Sequence, residues 1–208
     1  MPPARLTRDE RRAQTREQLI DAAERRFKSD GFHATSVDAV AEEAGYTKGA
    51  VYSNFAGKEA LFFAVYERHV ERRASQLDAF AEQAPSTREE IRAAVTSADR
   101  LEDDGWIAVF FEFWAHVLRH PEHRERFAEL HRRGLEPVVR SIEALAGDRS
   151  LALPATVLAT AQIALGNGLQ LERITRPAEL AAEDFQAAMW LLASAAAGLA
   201  HEEEGAER

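Results

Sequence analysis

Between Thr35 and Phe62 the chain reads TSVDAVAEEAGYTKGAVYSNFAGKEALF, and no other stretch limits the possible folds so tightly. Val37, Val40, Ala41 and Ala44 recur at helical spacing on one face, and Thr35 can cap that helix with Asp38 three residues on as its acidic partner. Gly45 offers the left-handed residue that ends a helix sharply, and Thr47 can cap a second short helix over roughly Lys48 to Phe55. In that helix Val51 and Phe55 stand at i and i+4 and turn inward, leaving Thr47, Lys48, Ala50, Tyr52, Ser53 and Asn54 outside or at the rim. Two short helices crossing at a tight turn, the second presenting small polar, methyl-bearing and cationic groups, form the grammar of a helix-turn-helix that reads a DNA groove.

The residues AEEAGYTKGAVYSNFAGKEALF, with Gly31, Phe32 and Thr35 before them and a long helix after Lys58, resemble the N-terminal DNA-binding domain of the tetracycline-repressor (TetR) family. The likeness covers about the first third of the chain. It is specific because several elements agree at once: Gly-Phe before a threonine, the Ala-Gly turn, Lys-Gly opening the second helix, the aromatic pair Tyr52 and Phe55, and Lys-Glu-Ala-Leu beginning the next helix. Two details depart from it: Gly57 stands where many members carry Ser or Pro, and Ala39-Val40 replaces the commoner Ile-Ala.

The resemblance implies an all-α protein with an N-terminal three-helix helix-turn-helix domain and a C-terminal helical bundle for effector binding and dimerisation. It places the reader with a basic arm at 1–57, the regulatory domain at 58–201 and a frayed tail at 202–208. Docked in a major groove, Thr47, Lys48, Ala50 and Ser53 become base readers: Lys48 can donate to guanine O6 and N7, and a methyl can touch thymine. By resemblance Tyr52, Asn54 and Lys58 clamp phosphates, Gly49 permits close backbone approach, the helix start at Gly57-Lys58 receives a phosphate, and Thr35 completes the DNA-contacting set. A two-fold dimer would present two such helices about 34 Å apart to a palindromic double-stranded operator.

A formal charge of −9 looks wrong for a DNA binder until it is divided. Residues 1–60 hold ten basic and ten acidic side chains, so the remaining sixteen of 26 basic and twenty-five of 35 acidic residues put the whole deficit beyond residue 60. Arg5, Arg8, Arg11, Arg12 and Arg16 outnumber Asp9 and Glu10 in the first sixteen residues, a cationic arm suited either to solvent or to phosphates. An acidic remainder repels DNA and confines contact to one end. Absent cysteine removes disulfides and thiolate metal sites, and with no charged-then-apolar leader a cytoplasmic address is expected.

The periodicity predicts helices at about Thr7 to Asp30, Val37 to Ala44, Lys48 to Phe55, Lys58 to Gln83, Arg88 to Glu102, Gly105 to Arg119, Glu122 to Leu145, Ala155 to Arg173 and Ala181 to His201, with no alternating strand pattern. Leu151 to Leu171 is long enough to span a bilayer, but Pro154, Gln162, Asn167 and Gln170 interrupt it and no membrane association is expected. Trp106 to Leu118 is apolar almost all round and should sit centrally. Its aromatics suit either a plain core or a small-molecule pocket. The resemblance favours the pocket, with Trp106, Phe110, Phe113, Trp114 and His116 as effector contacts.

Glu112, His116, Arg119 and His120 form the one polar stripe of that helix. Glu112 and His116 with His120, His123 or His131 permit a metal reading, but Pro121 breaks the helix beside His120, and neither metal nor cofactor is expected. From Leu151 to Ala200 six charged residues interrupt a run of Ala, Leu and Gly, which fits burial in the monomer or a homodimer through the last two helices; the resemblance favours the dimer. An enzyme is not expected, since a GxSxG elbow, a P-loop, an HExxH pair and a cysteine nucleophile are all missing. The alternative to a ligand-relieved repressor is a DNA-blind helical sensor or adaptor.

Overall fold

The computed structural model describes residues 7–81, 104–146, 150–151 and 153–181, and single positions 184, 187, 188, 190 and 191. Among them the regular structure is helical: α1 Arg8–Ala34, α2 Val37–Glu43, α3 Lys48–Tyr52, α4 Lys58–Ala81, α5 Asp104–Arg119, a 3-10 turn Pro121–His123, α6 Arg124–Ala146 and α7 Ala155–Thr175. The expected helix at Arg88 to Glu102, most of that at Ala181 to His201, and the tail lie outside the described residues. No helix among the described residues is long and apolar enough to cross a membrane.

α1 begins where its chemistry requires. Thr7 Oγ1 accepts from the Glu10 amide at 3.2 Å while Glu10 Oε2 accepts from the Thr7 amide at 2.6 Å, a complete capping box. The element continues to Ala34 rather than ending at Asp30, but Gly31 interrupts it at φ 82° and ψ 168°, a backbone conformation costly for any residue with a Cβ. Pro121 opens the 3-10 turn and moves the next helix start from Glu122 to Arg124.

The chain forms two compact units. One gathers residues 1–69 with 108–124; the other gathers 70–107 with 125–208. The first is built on aromatic side chains. Phe27, Phe32, Phe62, Phe63 and Phe113 are fully buried or nearly so, and Phe113 stacks on Phe62 at 3.9 Å between ring centres and meets Phe32 edge-on at 4.9 Å. Leu19, Ile20, Ala22, Ala23, Val40, Ala41, Val51 and Leu61 complete the interior. Arg68 of α4 holds the outside together, donating to Asp21 at 2.5 Å and to Glu24 on α1. Burial alone would raise the Glu24 carboxyl, but hydrogen bonds and charge from Lys28 and Arg68 outweigh it and hold the group at about 2.

The second unit packs differently. Val138 and Ile142 of α6 close on Ala159 of α7, with Leu77, Leu135, Val139, Leu151, Ala155, Leu158 and Ile163 around them. Pro137 sits within α6, and Ser141 Oγ donates to its carbonyl at 2.9 Å. On α7, Val157 and Leu165 stand 47% and 46% exposed, so a helix of mostly apolar residues leaves part of that surface uncovered by the described residues.

Candidate nucleic-acid interface

The helix-turn-helix forms, with its first cap shifted by one residue. Ser36, not Thr35, caps α2: its side chain accepts from the Ala39 amide at 3.1 Å. Thr35 is buried at 2% exposure, and its hydroxyl donates to the Gly31 carbonyl at 2.7 Å. A side chain so enclosed cannot meet a phosphate, which removes Thr35 from the expected contact set. Gly45 at φ 73° makes the turn, and the Tyr46 amide donates to the Ala41 carbonyl at 2.9 Å.

Thr47 caps α3 as expected, Oγ1 accepting from the Ala50 amide at 3.2 Å. The helix ends at Tyr52 rather than Phe55, since Ser53 Oγ and Asn54 Nδ2 both donate to the Ala50 carbonyl at 2.8 Å and compete with the helical ladder there. Val51 and Phe55 are buried against the unit's core. Thr47, Lys48, Gly49, Tyr52 and Ser53 are exposed, while Ala50 and Asn54 are half-buried. Tyr52 stands 52% exposed although it is a large aromatic.

Cationic side chains shape this surface. Lys48 Nζ lies 2.8 and 3.0 Å from the two carboxylate oxygens of Asp38 on α2, and the hydrogen bond and charge of Asp38 raise the lysine above its ordinary range. The pair is solvent-exposed and therefore weak, so it orients the ammonium without consuming it. Arg12 Nη2 donates to the Ser53 carbonyl at 3.5 Å, bringing the start of α1 to the far end of α3; Arg16 lies 5.1 Å from the Phe55 ring centre. Arg8 and Arg11 are exposed beside them, while Arg5 lies outside the described residues. Gly49 has no internal need to be glycine: an added Cβ would make an ordinary 3.7 Å contact with Thr47 Oγ1.

Lys58, expected at a phosphate, is engaged by its own chain. Its Nζ donates to the Phe32 and His33 carbonyls at 2.9 and 3.1 Å and lies 4.5 Å over the Phe32 ring. On the other side of the same backbone, Glu112 Oε2 accepts from the Phe32 amide at 2.7 Å and from the His33 amide at 3.4 Å. The segment after Gly31 is thus gripped through its carbonyls by α4 and through its amides by α5. A Cβ on Gly31 would stand 2.7 Å from Glu112 Oε1. Composition and periodicity give no hint of this clamp, since the two charges are 54 positions apart and Glu112 reads as one member of a polar stripe.

The expected effector contacts are divided between the two units. Phe113 is fully buried among Phe32, Phe62 and Phe63, and His116 lies against Phe32 with ring centres 5.0 Å apart, both within the first unit. Phe110 is buried beside Tyr66 and Trp114, each with ring centres 5.4 Å away. Trp106 is buried in the second unit. His116 also stacks on His120 at 3.9 Å and sits 5.8 Å from His123. Burial, then the nearby His120, push His116 below the ordinary imidazole range, against the pull of Glu59.

Residues 19–65 match the family model described as bacterial regulatory proteins, tetR family, and residues 87–197 match that of the BetI-type transcriptional repressor, C-terminal. The chain is 38% identical over 101 residues to the HTH-type transcriptional activator FasR of Mycolicibacterium smegmatis, a match covering 48% of this chain and 44% of that protein. It is 39% identical over 64 residues to the HTH-type transcriptional regulator AcrR of Shigella flexneri, covering 31% of this chain and 29% of that one. The chain therefore aligns with less than half the length of either relative. Among solved structures, GusR of Salmonella enterica shares the fold at a TM-score of 0.67 and 20% identity, with 94% of this chain and 98% of that chain covered.

Proposed function

The chain belongs to the TetR family of bacterial regulatory proteins, and on that premise we propose that it is a sequence-specific DNA-binding transcriptional regulator. The observation that carries this reading is the outward row Thr47, Lys48, Gly49, Tyr52 and Ser53 on a short capped helix whose Val51 is fully buried. An aromatic left half in water, a glycine with no internal reason to be one, and a lysine poised by Asp38 suit a surface completed by a partner.

In this reading Thr47, Lys48, Ala50 and Ser53 face base edges in the major groove. Tyr52, Asn54 and the amides near Gly49 and Gly57 face phosphates, and Arg8, Arg11 and Arg12 extend the phosphate track. Residues 1–57 act as the reader and 58–201 as the regulatory part, which dimerises through its last two helices; the uncovered Val157 and Leu165 on α7 support that contact. Within the first unit Phe110, Phe113, Trp114 and His116 remain candidates for contact with a small-molecule effector, and Trp106 is a separate candidate in the second. Binding represses by occupancy, and effector binding relieves it by favouring a spacing of the paired readers that fails to match successive grooves. A coupling of about 1–3 kcal/mol between effector and operator suffices.

Capture of fragments from the source genome by the purified chain, at physiological salt with nonspecific competitor, tests the reading directly. A few enriched palindromes are expected; retention indifferent to sequence, with and without candidate ligands, supports the DNA-blind sensor instead. On a captured site, Lys48→Ala should relax sequence preference, whereas Tyr52→Ala should weaken specific and nonspecific binding together.

A further inference from the structure

Glu59 in the first turn of α4, His116 near the end of α5 and His123 in the 3-10 turn each offer one donor atom, and these atoms all lie within 4.8 Å of one another. The sequence separates them by up to 64 positions; the break at Pro121 brings His123 back toward α5, and α4 supplies the carboxylate. His116 Nε2 is enclosed and has no hydrogen-bond partner, and its nearest carboxylate oxygen, Glu59 Oε1, is 3.8 Å away. That distance is too long for a hydrogen bond and close to the spacing of about 3.4 Å between two donors that share a tetrahedral ion at about 2.1 Å each.

The surroundings orient rather than compete. The His120 ring stacks on His116 at 3.9 Å and 21°, while its Nδ1 sits 3.2 Å from Glu122 Oε1, so it buttresses one donor and is itself engaged elsewhere. Glu112, one helical turn before His116, is committed to the Phe32 and His33 amides. Two imidazoles and one carboxylate suit borderline divalent ions such as zinc, whereas calcium and magnesium take sites built almost wholly of oxygen.

We infer that Glu59, His116 and His123 form a binding site for a divalent transition ion of the zinc class, with a fourth position open to water. Closing the donors onto an ion needs about 1 Å of side-chain movement, within the reach of rotamer adjustment. Loading ties the first turn of α4 to the end of α5 and the turn after it, all within the unit that carries the helix-turn-helix. The site departs from the sequence expectation of no metal, and it stands or falls independently of DNA binding.

The test uses the full-length, tag-free chain stripped with chelator and titrated with Co²⁺ as a visible probe, then with Zn²⁺. One Co²⁺ per chain is expected, with the absorption of a four- or five-coordinate ion, displaced by one equivalent of Zn²⁺. His123→Gln and Glu59→Gln, both partly exposed positions, should each weaken Co²⁺ by more than the roughly 10- to 100-fold typical of losing an outer-shell partner, while His131→Gln in the other unit leaves it unchanged. Circular dichroism checks that each variant is folded. His116→Gln should abolish the absorption if it folds. Substoichiometric uptake by the unaltered chain, or a full site surviving in folded His123→Gln and Glu59→Gln, overturns the assignment.

Discussion

The two compact units solve the same problem with different materials. The first closes around rings, with Phe32, Phe62, Phe63 and Phe113 within 6 Å of one another along a connected set, and fastens the backbone after Gly31 from two sides with Lys58 and Glu112. The second closes around aliphatic and small side chains, Val138, Ile142 and Ala159, and leaves Val157 and Leu165 in water. Directional contacts, which lose energy quickly when displaced, suit a part that must hold a reading surface rigidly. Nondirectional packing with surface left over suits a part completed by association.

The hardest way to break the contrast is Phe113→Ala, which empties the centre of the ring cluster. It should cost about 3–5 kcal/mol in denaturant unfolding. The aliphatic counterpart Ile142→Val should cost about 0.5–1.5 kcal/mol, so equal losses would dissolve the distinction. Gly31→Ala ranks next: left-handed strain of about 1–2 kcal/mol adds to the clash with Glu112. Combining it with Glu112→Ala relieves the clash and leaves the strain, so a double-mutant cycle should show clear nonadditivity, and strict additivity would mean that the clamp is not rigid.

Acid probes the ion pairs of the first unit. Because Glu24 is held below its ordinary value, its contribution is present above about pH 4.5 and is lost as pH falls toward about 2. After allowance for solvent screening this should amount to about 1–2 kcal/mol, and Arg68→Met should flatten that part of the stability profile. The smallest effect on the fold belongs to Leu165→Ser, within about 0.5 kcal/mol for an isolated chain, yet light scattering should show a weakened dimer. An unchanged mass would turn the exposed face of α7 into ordinary surface.

What the sequence discloses follows the range of the forces involved. The all-helical class, the Gly45 turn, the Thr47 cap and the inward pair Val51 and Phe55 are settled by neighbours within a turn or two, and each reads directly from spacing. Thr35 and Ser36 are adjacent caps of similar chemistry, and tertiary burial of Thr35 decided between them. Lys58, Glu112, Phe113 and His116 are settled by partners dozens of residues away. Local pattern therefore places them in a helix correctly without disclosing what they touch: Lys58 holds two carbonyls and Phe113 fills a core. Glu59 gives no local sign that two histidines far along the chain converge on it.

The two-sided grip on the backbone after Gly31 bears on how such proteins can be recombined. A chimera that transplants residues 1–57 onto a foreign regulatory part would leave behind the lysine and the glutamate that hold residues 32 and 33, along with the ring that fills the space beneath them. A transferable head is therefore a discontinuous parcel: the first 69 residues together with 108–124, or a recipient that already supplies a carboxylate and an aromatic at the matching places.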